Sequence, residues 1–394
     1  MHIPNRQSAL EALQRFLPHA GENYASRRNF VSAPLVEANV SGLSPWVRTR
    51  LLQEWEIIEH VLHQHSASAA SKFIDEVCWR TYWKGWLQLR PAVWEQYLAE
   101  LNQARKVSFM DATYQAVLAG QSGIECVDQW TQELQQTGYL HNHVRMWYAS
   151  IWIHTLKLPW VLGADLFMQY LLDGDPASNT LSWRWVAGLH TKGKTYLANP
   201  DNIQKYTQGR FEVKERLATE AVIPKSFPIQ QPRSLPSLGP LPQKKSRVGV
   251  LLQEDDVRAL NWLVTNQDTA EIHIAGYFSP AVYSVNKIAP MVAQFRQESL
   301  QSVLQADHPL FNDVDSVSNW AVTKQLDAVL MAEVPTGMWD SKIQDLQSVV
   351  EAQGVKLSMQ RCPWDAHFYP LAKAGFFRFK QGISAALHSV VSSS

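Results

Sequence analysis

Between residues 138 and 188, five tryptophans stand beside Asn142, Arg145, Asp173, Asp175 and Asn179, a mixture an ordinary hydrophobic core does not choose. Within Asp173-Gly174-Asp175-Pro176-Ala177-Ser178-Asn179, helix capping explains one part: Asp175 suits an N-cap and Pro176 the first helical position. Capping leaves Asp173 unexplained, and with it Arg145, which can form a charge-assisted pair with that carboxylate from a preceding helix. Upstream, Glu76 and Trp79 fall on one helix face at i and i+3, while Glu76 and Arg80 at i and i+4 also suit a plain surface ion pair. Val40-Ser41-Gly42-Leu43-Ser44-Pro45 offers hydroxyls and free backbone N–H groups at a helix start, which can hold a phosphate; the same letters are also an ordinary helix entry. His60, His63 and His65 lack a carboxylate or cysteine at ligand spacing, so no metal site is expected.

The elements that must position these groups are helical over roughly residues 5–220. Apolar residues recur at three- and four-residue intervals through 51–62, 73–89, 127–134 and 142–158. Residues 222–245 carry six prolines and Gly239, a composition that reads as an extended linker. Beyond it, β-branched runs begin at 247, 271, 327 and 355 and alternate with helical stretches near 256–265, 283–304 and 340–353, the pattern of a small parallel α/β unit. The expected fold is therefore mostly α: a helical domain over 1–221, a linker over 222–245, and a small α/β domain with a short parallel sheet over 246–394. The α/β part shows no GxGxxG or Walker loop.

At 394 residues, two cores are the default expectation. Thirty-six basic and thirty-six acidic residues balance, so nucleic-acid binding must come from particular side chains and not from bulk charge. Three scattered cysteines suit a reducing cytoplasm and exclude a four-cysteine cluster within one chain. The N-terminus reads as a short amphipathic helix without a secretory signal, and no stretch is apolar for long enough to span a membrane.

Three coupled motifs, GYLHNHVRM at 138–146, DGDPASN at 173–179 and WRW at 183–185, resemble the flavin-binding helical domain of the photolyase and cryptochrome superfamily, and the likeness extends over about residues 20–211. The resemblance implies FAD as cofactor. Arg145 and Asp173 would flank the flavin ring, Asp175 would lie near its polar edge, and Asn179 would approach N5. A neutral amide at N5 supports a reduced flavin without burying a further negative charge. Tyr24 and the turn Val40, Ser41, Gly42, Leu43 and Ser44 would hold the cofactor's pyrophosphate side. Glu76, Trp79, Asn142, Met146 and Trp185 would form the pocket for an extruded pyrimidine dimer, with Arg28, Arg80 and His143 meeting damaged DNA. His141-Asn142 is nearer the cyclobutane-dimer type than the (6-4) type. Trp183 and Trp160 match the first two members of the family's electron-carrying chain; the third falls near Val107, leaving Trp152, Trp130 or Tyr148 as substitutes.

The chain also departs from the family pattern. Thr180-Leu181-Ser182 replace glycines, the loop 189–196 follows neither common form, and the α/β segment comes after the helical one. Lys192, Lys194, Lys205 and Arg210 suit either phosphate contacts or a solvated loop, and the aromatic, basic stretch 364–383 either seals the flavin domain, replaces the family's antenna domain in space or binds a partner. Two activities stay open: light-driven repair of cyclobutane pyrimidine dimers, and a cryptochrome-like blue-light receptor that does not repair.

Overall fold

A computed structural model describes residues 2–31, 39–108, 110–191, 194–225, 228–265, 269, 271–340 and 342–383. Among the described residues, twelve α-helices precede the first strand: α1 Arg6–Phe16, α2 Glu22–Arg27, α3 Ser44–Arg48, α4 Glu54–Gln64, α5 Ala67–Gln88, α6 Ala92–Ser108, α7 Ala112–Leu118, α8 Glu125–Thr137, α9 Asn142–Ser150, α10 Trp160–Tyr170, α11 Pro176–Val186 and α12 Pro200–Tyr206. Their starts follow local chemistry. Asn5, Ser66, Asp111, Asp175 and Asn199 each accept a backbone N–H of the helix they open, and Gln53 with Glu56 forms a capping box on α4. After α9 the chain widens into a π-helical turn, Ile151–Thr155, closed by the Leu156 amide donating to the Ile151 carbonyl.

Among the described residues, the α/β part holds five parallel strands, β1 Arg247–Gln253, β2 Glu271–Tyr277, β3 Leu310–Phe311, β4 Ala328–Ala332 and β5 Lys356–Gln360, in the order β3-β2-β1-β4-β5. Val248 pairs with Ile272 on one side and Ala328 on the other, and Ala328 in turn with Lys356. Every residue of β4, and of β1 after Arg247, is buried, as a parallel sheet covered on both faces requires. Helices α13 Leu260–Leu263, α14 Pro290–Gln301, α15 Val314–Thr323 and α16 Ile343–Glu351 accompany it. The stretch expected to be helical over 256–265 keeps only α13, because its beginning is committed elsewhere: Asp256 accepts from Arg50, and the Val257 amide donates to the Thr49 carbonyl.

The proline-rich stretch has no helix or strand among its described residues, yet it does not hang free. The Arg233 amide donates to the Leu89 carbonyl, and the carbonyls of Gly239 and Pro240 accept from Gln360 and Ser358. After β5 the chain returns to the helical half, where α17 Pro363–Phe368 and α18 Phe376–Gln381 pack against α5. Trp364 is fully buried there, donating to the Thr81 hydroxyl at 2.9 Å, and Phe376 stacks on Trp79 at 3.8 Å between ring centroids. Among the three alternatives for residues 364–383, this packing supports sealing of the helical unit.

A polar seam joins the two parts. Arg50 holds Asp365 with both oxygens and Asp256 with one, and Arg48 reaches Asp255 at 2.6 Å, all of them buried.

Candidate cofactor and substrate cavity

One cavity of about 700 Å³ lies among α2, α5, α9, α10 and α11 and the turn before α3. That is within the range of pre-formed cofactor sites. Tyr24, Arg28, Val40, Ser41, Gly42, Leu43, Ser44, Glu76, Trp79, Arg80, Asn142, His143, Arg145, Met146, Asp173, Asp175, Asn179, Trp183 and Trp185 all line it. Trp160 does not; it sits behind the wall, with Tyr97 at 5.8 Å and its indole N–H on Glu100.

At one end, three charged groups meet. Arg145 donates from Nε to the Leu140 carbonyl and from Nη2 to Asp173 at 3.0 Å, and Arg80 stands 4.0 Å from the same Asp173 oxygen. Burial pushes the Asp173 carboxyl up, but Arg145 and then Arg80 outweigh it and hold the group below its ordinary range. Asp175 behaves alike: burial is overcome by Arg80, Lys84 and Arg48, and its Oδ1 accepts the Ser178 amide at 2.7 Å. The capping and cavity roles of Asp175 therefore coexist. Asn179 donates from its amide to the Ala164 carbonyl at 2.8 Å, fixing the side chain on the cavity wall. Beside it, Trp183 fills the space left by Gly163, where a Cβ would lie 2.2 Å from the indole.

The other end is aromatic around one acid. Glu76 opens onto the cavity, and enclosure raises its carboxyl above the usual range, with Arg28 opposing the shift. Trp79 lies between the cavity and Phe376, while Trp185 is 37% exposed and stacked on Tyr196. His143 stacks on Trp147 at 4.0 Å with Nδ1 against the Asn29 carbonyl. Lys194, Lys205 and Arg210 are exposed; Lys192 lies outside the described residues.

Several wall residues went unnoticed in the sequence. Tyr139 and Leu140 sit inside the GYLHNHVRM motif, Phe73 lies one turn before Glu76 on the same helix, and Val77 is its chain neighbour, so widening each motif by a turn would have found them. Phe167 carried no such signal. Among rings near Trp183, Phe167 lies at 5.1 Å and Trp152 at 6.1 Å, and Trp152 is 6.0 Å from half-buried Tyr114.

Fold and cavity together define a helical cofactor-binding unit carrying an attached α/β part. Residues 73–212 match the FAD binding domain of DNA photolyase. A deoxyribodipyrimidine photo-lyase of Thermus thermophilus is 31% identical over 197 residues, 49% of this chain and 45% of that one. One from Alkalihalophilus pseudofirmus is 28% identical over 191 residues, 48% and 39% respectively. A bacterial class III photolyase structure from Agrobacterium tumefaciens aligns over 51% of this chain and 42% of its own, at 27% identity and a TM-score of 0.44. The chain thus spans less than half the length of these relatives. Within this helical half, residues 73–212 thus match the FAD-binding domain of the photolyase/cryptochrome superfamily.

The cofactor of this family is FAD, and the wall fits it. Among the described residues, Asp173 Oδ1, Ser178 Oγ and Arg80 Nη1 are buried polar atoms without a hydrogen-bond partner, and all three residues face this cavity. An isoalloxazine ring brings an imide N–H, two carbonyls and ring nitrogens to such a set, and the aromatic and aliphatic wall covers its apolar portion.

Proposed function

We propose that this protein is a light-dependent DNA repair flavoprotein acting on cyclobutane pyrimidine dimers. The observation that carries the reading is the single cavity with two ends. A buried Asp173–Arg145–Arg80 group suits the cofactor, and Glu76, Trp79, Asn142, Met146 and Trp185 around the same space suit an extruded polar lesion. When bound, reduced FAD would supply under light the electron that splits the dimer and would take it back once the ring has opened. The chain's own residues do the rest. Asp173 and Arg145 would flank the ring, Asp175 would lie near its polar edge, Asn179 would offer a neutral amide, and the turn from Val40 to Ser44 with Tyr24 would hold the pyrophosphate side. Glu76, whose carboxyl is raised above its ordinary range by burial against the opposing pull of Arg28, hydrogen-bonds the lesion. Trp79, backed by Phe376, gives the lesion a fixed aromatic wall. Arg28 and His143 are assigned to the DNA side, whereas Arg80, expected there, stands 4.0 Å from Asp173 at the cofactor end; Trp183 and Trp160 are assigned to electron transfer, with Trp152 and Tyr114 continuing the ring contacts away from Trp183.

We divide the chain into a helical domain over 1–221, a linker over 222–245 and an α/β domain over 246–394, and place the protein in the cytoplasm, where its three buried, unpaired thiols are at home. Among the described residues, no helix is long and apolar enough to cross a membrane.

The stack of Phe376 on Trp79 also favours a second reading, a cryptochrome-like receptor, because one face of the lesion-side tryptophan is already occupied. Binding of dimer-containing and undamaged single strands, measured at several salt concentrations, separates the two. Repair requires preference for the lesion that persists as salt rises; equal binding of both strands favours the receptor.

A further inference from the structure

The strand order β3-β2-β1-β4-β5 places the switch of winding between β1 and β4, and open parallel sheets ordinarily bind their ligands in the crevice beyond the carboxyl ends of such strands. Here the residues leaving β1 are Glu254, Asp255 and Asp256, all buried, and guanidinium groups fill the space against them. Arg48 and Arg50 come from the helical half and Arg296 from α14. The occupant of this crevice is therefore the cofactor-binding half of the same chain.

Two of these arginines converge on one atom. The Gly174 carbonyl accepts from Arg48 Nε at 2.9 Å and from Arg296 Nη2 at 2.8 Å, and Gly174 is the residue between the two cavity carboxylates Asp173 and Asp175. Arg296 is itself aimed by Glu254 at 3.5 Å and the Tyr283 hydroxyl at 3.2 Å, and that hydroxyl donates to the other Glu254 oxygen. A second contact reaches the same turn independently: Gly337, after β4, lies so close to Pro176 that a Cβ there would stand 2.6 Å from the ring.

We propose that Arg296 and Gly337 of the α/β part are positioning residues for the FAD site, fixing the 173–176 turn so that Asp173 and Asp175 keep their aim. The proposal rests on the FAD reading above. A buried ion cluster is a poor device for stability alone, because desolvation offsets much of its attraction. Its geometric effect is specific: both lone-pair directions of one carbonyl are committed, so the peptide planes beside Asp173 and Asp175 cannot rotate freely. Neither residue lines the cavity, so any effect on FAD must pass through the turn.

Three variants of the full chain test this. Arg296→Lys keeps a positive charge near Glu254 but cannot reach Glu254, Tyr283 and Gly174 together. Gly337→Ala pushes on Pro176 and leaves the ion cluster intact, and it decides the question if Arg296→Lys does not fold. Arg50→Lys perturbs the same seam without touching the turn. FAD dissociation constants, the absorption band structure of bound flavin and Tm are measured for each. Arg296→Lys and Gly337→Ala are expected to weaken FAD binding at least tenfold and alter the bands, whereas Arg50→Lys at a similar Tm loss keeps wild-type values. Wild-type affinity and spectra in the first two variants overturn the proposal, as does an equal loss in Arg50→Lys at matched Tm. If the wild-type chain binds no FAD at all, the cofactor reading falls and this proposal with it.

Discussion

Replacing Asp173 by Asn tests the cofactor end of the cavity with almost no change in shape. The wild-type side chain is 3% exposed, accepts from Arg145 through Oδ2 at 3.0 Å, and leaves Oδ1 without a partner in the described structure. Asparagine removes the charge shared by Arg145 and Arg80 and presents a donor where the cavity now presents an acceptor. A hydrogen bond to a charged group is worth about 1.5–3 kcal/mol, and about 1.4 kcal/mol corresponds to tenfold in affinity. FAD binding should therefore weaken by about ten- to a hundredfold. The assay is a titration of apoprotein with FAD followed by quenching of flavin fluorescence, with circular dichroism to verify folding. Asp75→Asn serves as control, since that carboxylate pairs with Lys380 and does not line the cavity. An Asp173→Asn protein that is folded and binds FAD within about threefold of wild type refutes the reasoning.

Other outcomes follow from the same geometry. Glu76→Ala should leave FAD affinity unchanged while reducing the preference for dimer-containing over undamaged DNA about tenfold, measured by competition binding; loss of FAD instead would move Glu76 to the cofactor end. Arg50→Met strands Asp256, Asp365 and Glu54 in a buried seam and should cost about 3–5 kcal/mol in urea unfolding; a cost below 1 kcal/mol contradicts the ion-pair account. His141 caps α9 by accepting the His143 amide, and burial, with His143 and Arg145 nearby, lowers its pKa to about 4 from an ordinary 6.5. The folded pKa is the lower one, so this stabilisation is fully present above about pH 6.5 and lost as pH falls through about 4. His141→Asn, which caps without titrating in that window, should flatten up to about 3 kcal/mol of acid dependence between pH 7 and 4; parallel stability curves for the two proteins overturn it.

What could be read from the sequence, and what could not, divides along sequence distance. The cavity groups were legible because local chemistry placed them. Asp175-Pro176 opens a helix, Glu76 and Trp79 share a helical face, and Arg145 falls on the helix that follows His141. Strands β1, β2, β4 and β5 announced themselves as β-branched runs, but β3 is two residues long and gave no periodicity to detect. The seam was invisible, because Arg50 meets partners 206 and 315 residues away and nothing in its neighbourhood distinguishes it from a surface arginine. The same holds for Phe376, whose ring closes on Trp79 only once α18 returns to α5. The helical pattern near 256–265 gave no sign that Glu254, Asp255 and Asp256 would be claimed by tertiary pairing with Arg48, Arg50 and Arg296.

The most direct test of the account is the dimer content of an oligonucleotide after anaerobic blue-light illumination with the FAD-loaded, reduced protein. The account predicts loss of cyclobutane dimers in the light, none in the dark, and much slower loss with Glu76→Ala. Normal flavin photochemistry with every dimer intact would contradict it.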